Sequence, residues 1–380
     1  MLYIQRNNLK FKTRTKDLKE VVLSVSRAVD VKPSTPSLQG LYIKVEDGSC
    51  EVIGSDLDLV IKAKLSVDST VDGECLVNAR VLSEVVRKMS SGEIVFSDLG
   101  NEVMIEAEKS EYKLRKLDHL TYPKALLENS FEQGNSQKLA PFELFTALRK
   151  VGIAASPEGG KPILTGVFFD NDGEKTTLVS TDSYRLATNT ISNLPIDDAG
   201  IVSYRSLNET IKLFEDVEQD IFINSTEREL HFYNERYYTS VRKLEGNYPE
   251  YQALFPKENV FSIEVDKKKI LESLDRSTVV AEGFIPVTLK VVDENNLNIS
   301  STNKDIGGGV EEIDIKILGL EVGDVTDFQI SFNPNYLIQG IEVLDGNKAF
   351  LRFSGNDKPA VIQGEEETYQ YLLMPVRTNE

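Results

Sequence analysis

LKEVVLSVSRAV, residues Leu18–Val29, is the first of three stretches that decide the fold. FELFTALRKVGIAA (Phe142–Ala155) and KILESLDRSTVVA (Lys269–Ala281) can be laid over it. In the first stretch Leu18, Val21, Val22, Val25 and Val29 recur with a helical period and share one face. A strand–turn–strand follows each helix: GLYIKVEDGSCEVIGSDLD from Gly40, GVFFDNDGEKTTLVSTDSYR from Gly166 and VTLKVVDENNLNISSTNKD from Val287. The turns are acidic or carry Asn and Gly, as hairpins require. A second helix then begins behind a small or polar residue: NARVLSEVVRKM (Asn78–Met89), SYRSLNETIKLF (Ser203–Phe214) and NPNYLIQGIEVL (Asn333–Leu344).

The unit is roughly 125 residues long, too long for a solenoid repeat and the size of a whole domain. A chain of 380 residues holds three such units. Their expected bounds are 1–125, 126–255 and 256–380. LENSFEQGNSQKLA, from Leu127, is polar and without period, and reads as a linker. FPKEN, from Phe255, breaks the pattern again. Each unit has two helices and six to eight short strands, which argues for an α+β class and against a doubly wound sheet. Three copies of one domain point to overall shape, an arc or part of a ring, as the working device.

Apolar residues make up 40% of the chain and charged residues 27%, an ordinary composition for a soluble protein. No apolar run approaches the ~20 residues of a membrane span. The opening MLYIQRNNLKFK lacks an apolar signal core and reads as a first strand, so a cytoplasmic protein is expected. The two cysteines, Cys50 and Cys75, fall in expected strands and give no disulfide framework. The formal charge of −18 speaks against general binding of polyanions. Charges are screened beyond ~8 Å at cell ionic strength, however, so a local basic surface on an acidic protein can still hold phosphate.

A search for catalytic chemistry yields little. His119 and His231 lie in unrelated contexts, and His231 sits in the strand pattern ELHFYN. No His/Cys cluster has zinc spacing, and there is no P-loop or nucleophile elbow. DNDGE, from Asp170, lacks the later ligands of a calcium loop and reads as a hairpin turn. Gly307–Gly309 read as a flexible loop, and Glu311/Glu312 as a solvated acidic face. No metal, cofactor or catalytic residue is expected. Basic residues recur on the helices: Lys16, Lys19, Arg27 and Lys32; Arg80, Arg87 and Lys88; Arg149, Lys150 and Lys161; Arg205 and Lys212; Lys267, Lys268, Lys269 and Arg276. They are either ordinary surface cations or a face that tracks a phosphate backbone without reading bases.

At TDSYRLA (Thr181–Ala187) and YLLMPVR (Tyr371–Arg377) the chain resembles the bacterial DNA sliding clamp, the beta subunit of the replicative polymerase. KPILTGV, from Lys161, and NYPEY, from Asn247, match the same family, and the resemblance covers the whole chain. It implies three clamp domains, each with two helices on an inner face and antiparallel sheets outside. It also implies a head-to-tail homodimer closing into a ring around duplex DNA, with no enzymatic activity. The polymerase, the clamp loader and repair proteins would dock through short peptides. The implied pocket comprises Leu164, Thr181, Ser183, Tyr184, Arg185, Leu186, Pro249, Leu254, Leu372, Leu373, Met374, Pro375, Val376 and Arg377. Aliphatic and Met side chains suit an adaptable apolar surface, with Arg185 and Arg377 as polar anchors. Where the family often has Arg beside the pocket, this chain has Ala253. The resemblance maps DNA contacts onto Lys32, Arg80 and Lys161. Pro162 and Ile163 stand where some relatives carry aromatics, so stacking on single strands is not supported. The implied subunit contact joins Tyr112 and Leu114 to Val279 and Val280. Lys113, Arg115 and Lys116 would face Glu311, Glu312 and Asp314. Rival readings are a clamp paralogue specialised for repair, a hydrolase on repeated domains, which needs a convergent acidic cluster, and an adhesive surface protein, which needs an export signal.

Overall fold

A computed structural model describes residues 9–377, apart from 34, 129–135, 158–159, 193, 197–198, 280–284, 304, 306, 320–324 and 326–327. The helices are α1 (Thr15–Val25), α2 (Ala79–Lys88), the single turn α3 (Ala125–Glu128), α4 (Pro141–Gly152), α5 (Tyr204–Phe214), α6 (Lys267–Thr278) and α7 (Pro334–Glu342). The first helices of the three repeats are α1, α4 and α6; the second are α2, α5 and α7. Asn78 caps α2 by accepting from the Val81 N–H, and Asn333 caps α7 by accepting from Asn335 and Tyr336. Asp266 does the same for α6, accepting from Lys269 at 2.9 Å.

Among the described residues the strands pair antiparallel, which gives the α+β class. The chain divides into two compact units that interleave in sequence: 1–141 with 195–243, and 142–194 with 244–380. The middle repeat is therefore shared. The reason lies in strand pairing across repeats. In the first unit Tyr237–Arg242 pairs with Leu59–Ser66, Tyr237 opposite Ala63. In the second unit Arg185–Ser192 pairs with Tyr369–Leu373, Leu186 opposite Leu372. Each repeat closes an edge strand of another, which satisfies backbone groups that would otherwise be open.

The first unit is one sheet running from Gln137–Leu139 at one end to Asp68–Val71 at the other. Helix α1 buries Leu18, Val21, Val22 and Val25 against it, and α2 adds Leu82 and Val86. The Ser26 and Ser83 hydroxyls bond at 2.8 Å between the two helical segments. Gln137–Leu139, read from composition as linker, is an edge strand on Ile221–Ser225, with Leu139 buried. Three residues are too few to show a period.

In the second unit α6 and α7 pack together beside the sheet that carries Tyr369–Leu373. Gly340 of α7 permits this approach: a Cβ there would meet the Tyr371 ring at 2.4 Å. Gly307–Gly309, expected as a loop, open the long strand Gly307–Leu318 and pair with Asn303, Thr302 and Ser301. A Cβ on Gly308 would stand 3.0 Å from the Ser301 carbonyl, so close backbone approach explains glycine here. Cys50 and Cys75 lie buried and free in strands, as expected.

Besides the strands that end each sheet, two strands keep part of one edge unpaired among the described residues. In the first unit Ser110–Leu117 pairs along its length with Glu102–Ala107, but on its other side only Lys116 and Leu117 find partners. In the second unit residues 307–314 pair with Asn296–Asn303 on one side, while the other side pairs only from Ile315 onward.

Candidate functional site

The turn Thr181–Arg185 is tied by its own short side chains. Asp182 Oδ1 accepts from the backbone N–H of Tyr184 at 2.9 Å and of Arg185 at 3.0 Å. The Thr181 hydroxyl donates to the Arg185 carbonyl at 2.6 Å and accepts from the Ser183 N–H at 3.2 Å. This geometry puts Ser183 at φ +78°, a left-handed conformation that costs a side-chain-bearing residue roughly 1–2 kcal/mol. Its effect is to throw Tyr184 outward, 64% exposed, while Arg185 turns inward.

Arg185 is held by partners within the protein. Its Nε donates to Asp182 Oδ2 at 3.0 Å, and its Nη1 donates to Gln339 Oε1 on α7. Its guanidinium also lies 4.0 Å from the centroid of the Tyr336 ring. Arg185 is buried, and its Nε and Nη1 are engaged within the protein. It ties the turn to α7. Arg377 is exposed and makes no ion pair among the described residues.

The other expected pocket residues divide into floor and rim. Leu186, Leu372, Val179 and Tyr251 form one buried cluster, with Phe168, Tyr248 and Phe255 packed against it. Leu164 and Thr181 are also buried. Leu373 alternates to the opposite face of its strand and is fully buried, so it supports the strand from behind. Beyond it the chain continues the pairing: the Met374 N–H donates to the Tyr184 carbonyl at 3.0 Å, and the Val376 N–H to the Ser331 carbonyl at 2.8 Å. Met374 and Val376 are exposed beside half-buried Pro375, and Leu254 and Pro249 are exposed as well. Buried apolar floor with exposed apolar rim is the arrangement that binds an extended apolar segment. Sequence reasoning omitted Phe168, Asp170, Tyr248 and Tyr251, which hold the 248–254 segment. The available signal was the i, i+2 spacing of Phe168 and Asp170 in a strand.

The cations separate into two sets. Many are engaged within the protein: Lys150 with Asp345, Arg205 with Asp56 at 3.1 Å, Lys212 with Glu209 at 2.7 Å, Lys269 with Asp314 at 2.7 Å and Arg276 with Glu311 at 2.7 Å. Lys19 donates to the Arg87 carbonyl, and Lys267 to the carbonyls ending α7. Lys16, Arg27, Lys32, Arg80 and Lys161 are exposed and make no ion pair among the described residues. All three expected DNA contacts belong to this second set.

Tyr112 is exposed and Leu114 half-buried on the open strand of the first unit, and Val279 is 75% exposed at the end of α6. Val280 lies outside the described residues. The charges expected across a subunit contact are partly engaged at home: Glu311 and Asp314 as above, and Lys113 with Glu111 at 2.9 Å. Lys116 is held by Asp98 at 2.6 Å. Arg115 and Glu312 make no ion pair among the described residues.

His231 is a core residue. The Tyr238 hydroxyl lies 2.9 Å from its Nδ1, and burial pushes the imidazole down to about 4, so it stays neutral. Asp170–Glu174 are a strand end and hairpin turn, in which Asn171 and Asp172 accept from backbone N–H groups two and three residues on. Among the described residues no group of three His, Cys, Asp or Glu could hold a metal ion, and no helix is long and apolar enough to cross a membrane.

Superposition identifies the class. The crystal structure of the Bacillus subtilis DNA polymerase sliding clamp matches with a TM-score of 0.88 and 28% identity, over 98% of this chain and 100% of that one. The Thermotoga maritima beta subunit shares the fold, with a TM-score of 0.88 at 22% identity over 98% and 100% of the two chains. The fold is that of the DNA sliding clamps. Family models for the N-terminal, central and C-terminal domains of the DNA polymerase III beta subunit match residues 9–127, 138–250 and 252–377. The Beta sliding clamp of Streptomyces coelicolor is 30% identical over 387 residues, 97% of this chain and 99% of that protein. The Beta sliding clamp of Bacillus subtilis is 28% identical over 386 residues, 97% and 100%. The chain belongs to the DNA polymerase III beta subunit family, and its function is that of a sliding clamp in DNA replication.

Proposed function

We propose that two copies of this chain join head to tail into a ring that encircles duplex DNA. The ring tethers the replicative polymerase, the clamp loader and repair proteins without catalysing a reaction, in the cytoplasm. The observation that carries this reading is the pair of open strand edges, residues 110–115 and 307–314. Two chains pairing such edges head to tail form two equivalent contacts and leave no edge of this kind free. Tyr112 and Leu114 would meet Val279 and Val280, with Arg115 and Glu312 as charges available to that contact. Three domains, 1–125, 126–255 and 256–380, would make each half of the ring.

Lys32, Arg80 and Lys161 would touch phosphates weakly and without sequence preference, which sliding needs; base-edge contacts would stall it. The surface around Leu186, Leu372, Met374 and Leu254 would take the apolar anchors of an extended partner peptide. Arg377 is the polar group open to the peptide's end.

Protein loaded on nicked circular DNA should stay bound, and should run off once the circle is cut. Equal retention on circular and linear DNA would refute enclosure. Sedimentation of Tyr112→Ala/Leu114→Ala should show monomers. A variant still fully dimeric at low concentration would place the contact elsewhere.

A further inference from the structure

The rim residues Pro249 and Leu254 stand on a segment with little regular structure of its own. Residues 244–250 form neither helix nor strand, and the helical turn Tyr251–Leu254 is a single 3-10 turn. Two residues of the strand Gly166–Asn171, Phe168 and Asp170, hold the segment in place. The Tyr248 ring stacks on Phe168 with centroids 5.1 Å apart and planes at 17°. The Tyr251 hydroxyl donates to Asp170 Oδ2 at 2.7 Å, and Gln252 Nε2 donates to the same oxygen at 3.1 Å. Phe168 and Asp170 are two residues apart on the strand, so both face the same side. The Tyr251 ring is buried with Val179, Leu186 and Leu372. Burial, together with the bond to Asp170, pushes its hydroxyl up, which keeps it protonated as a donor.

We propose that Asp170 is a positioning residue of the peptide pocket: its carboxylate fixes Tyr251 and Gln252 and thereby sets where Leu254 stands on the rim. This rests on the pocket reading above. Asp170 lies beneath the rim segment and acts through Tyr251 and Gln252 rather than on the peptide. Its hydrogen bonds order the segment before a peptide arrives, so that cost is not charged to binding. Without them the segment samples other positions, and apparent affinity falls with the fraction that remains competent.

Calorimetry of the full chain with a peptide of the form QLxLF tests this. Asp170→Ala, which breaks both bonds, should weaken binding about tenfold or more. Tyr251→Phe, which removes one of the two, should weaken it about fivefold and serves if Asp170→Ala folds poorly. Asp170→Asn keeps an acceptor oxygen and should recover most of the affinity. The decisive readout is coupling. Leu254→Ala should have little further effect in the Asp170→Ala background, because the rim is already displaced. Met374→Ala, on a different segment of the rim, should keep its full effect there. The proposal is overturned if Asp170→Ala and Tyr251→Phe bind like the parent while Met374→Ala binds weakly. It is also overturned if Asp170→Ala adds fully to both Leu254→Ala and Met374→Ala, which is general loosening. If Met374→Ala changes nothing, the pocket reading itself fails and the proposal goes with it.

Discussion

The Thr181–Arg185 turn and the cation positions Lys32, Arg80 and Lys161 both present side chains to solvent, yet they are built in opposite ways. The turn carries hydrogen bonds from Thr181, Asp182 and Arg185, a left-handed Ser183 and a tie to α7 through Arg185. The cations are long side chains on a loop, on the first turn of a helix and at a 3-10 start, with no ion pair among the described residues. The difference suits what each is proposed to bind. An extended apolar peptide gains affinity when its groove is ordered in advance. Phosphate attraction falls off slowly with distance and tolerates mobile chains, and a sliding protein must not hold any one register.

Four variants break or sharpen this contrast. Arg185→Ala should have the largest effect, because the Asp182 side chain, 8% exposed, is left without its cation. The expected loss is about 3 kcal/mol of folding stability, read from urea unfolding. A loss below about 1 kcal/mol would mean that the turn is not built as rigidly as its bonds imply. Lys32→Ala/Arg80→Ala/Lys161→Ala should leave stability unchanged and flatten the salt dependence of direct DNA binding. The slope should drop by about 0.9 for each phosphate that is no longer neutralised. An unaltered slope would remove these cations from the DNA-facing set.

Third in size is Met374→Ala/Val376→Ala. Both residues are exposed, so folding should be unaffected while QLxLF peptide affinity falls at least tenfold, about 1.4 kcal/mol. Leu186→Ala is a poorer probe: at 1% exposure it would cost about 2–5 kcal/mol of core stability and confuse the two effects. Peptide affinity unchanged in the rim variant would locate binding elsewhere. The smallest effect is expected of Ser183→Gly. Relief of the left-handed strain, offset by the greater chain entropy of glycine, should raise stability by about 0.5–1 kcal/mol. Any destabilisation would show that the Ser183 side chain contributes more than its backbone costs.

The helices were legible because their apolar faces repeat over several turns: Leu18, Val21, Val22 and Val25 are all buried. The caps at Asn78 and Asn333 follow from side-chain chemistry one residue before each helix. Short strands were less legible. Gln137–Leu139 looks like linker, and Gly307–Gly309 like loop, because their strand state comes from pairing with another strand. The residues of the proposed pocket come only from a family motif, and the motif does not tell floor from rim. Nothing local in YLLMPVR says that Leu372 belongs to the floor cluster while Leu373 turns away from it.

By itself the sequence determines the threefold repeat, the α+β class, the placement of the helices and the acidic surface. These depend on local periodicity and composition, which a chain carries in any state. The tertiary structure alone decides that the middle repeat is divided between two compact units, since strand pairing across repeats decides which edges close. It decides too that Arg185 ties its turn to α7, because Gln339 and Tyr336 lie far along the chain from it. And it decides which cations are engaged: Lys and Arg look alike in sequence, but only folding brings Asp345, Asp56, Asp314 and Glu311 to some of them and leaves Lys32, Arg80 and Lys161 in water.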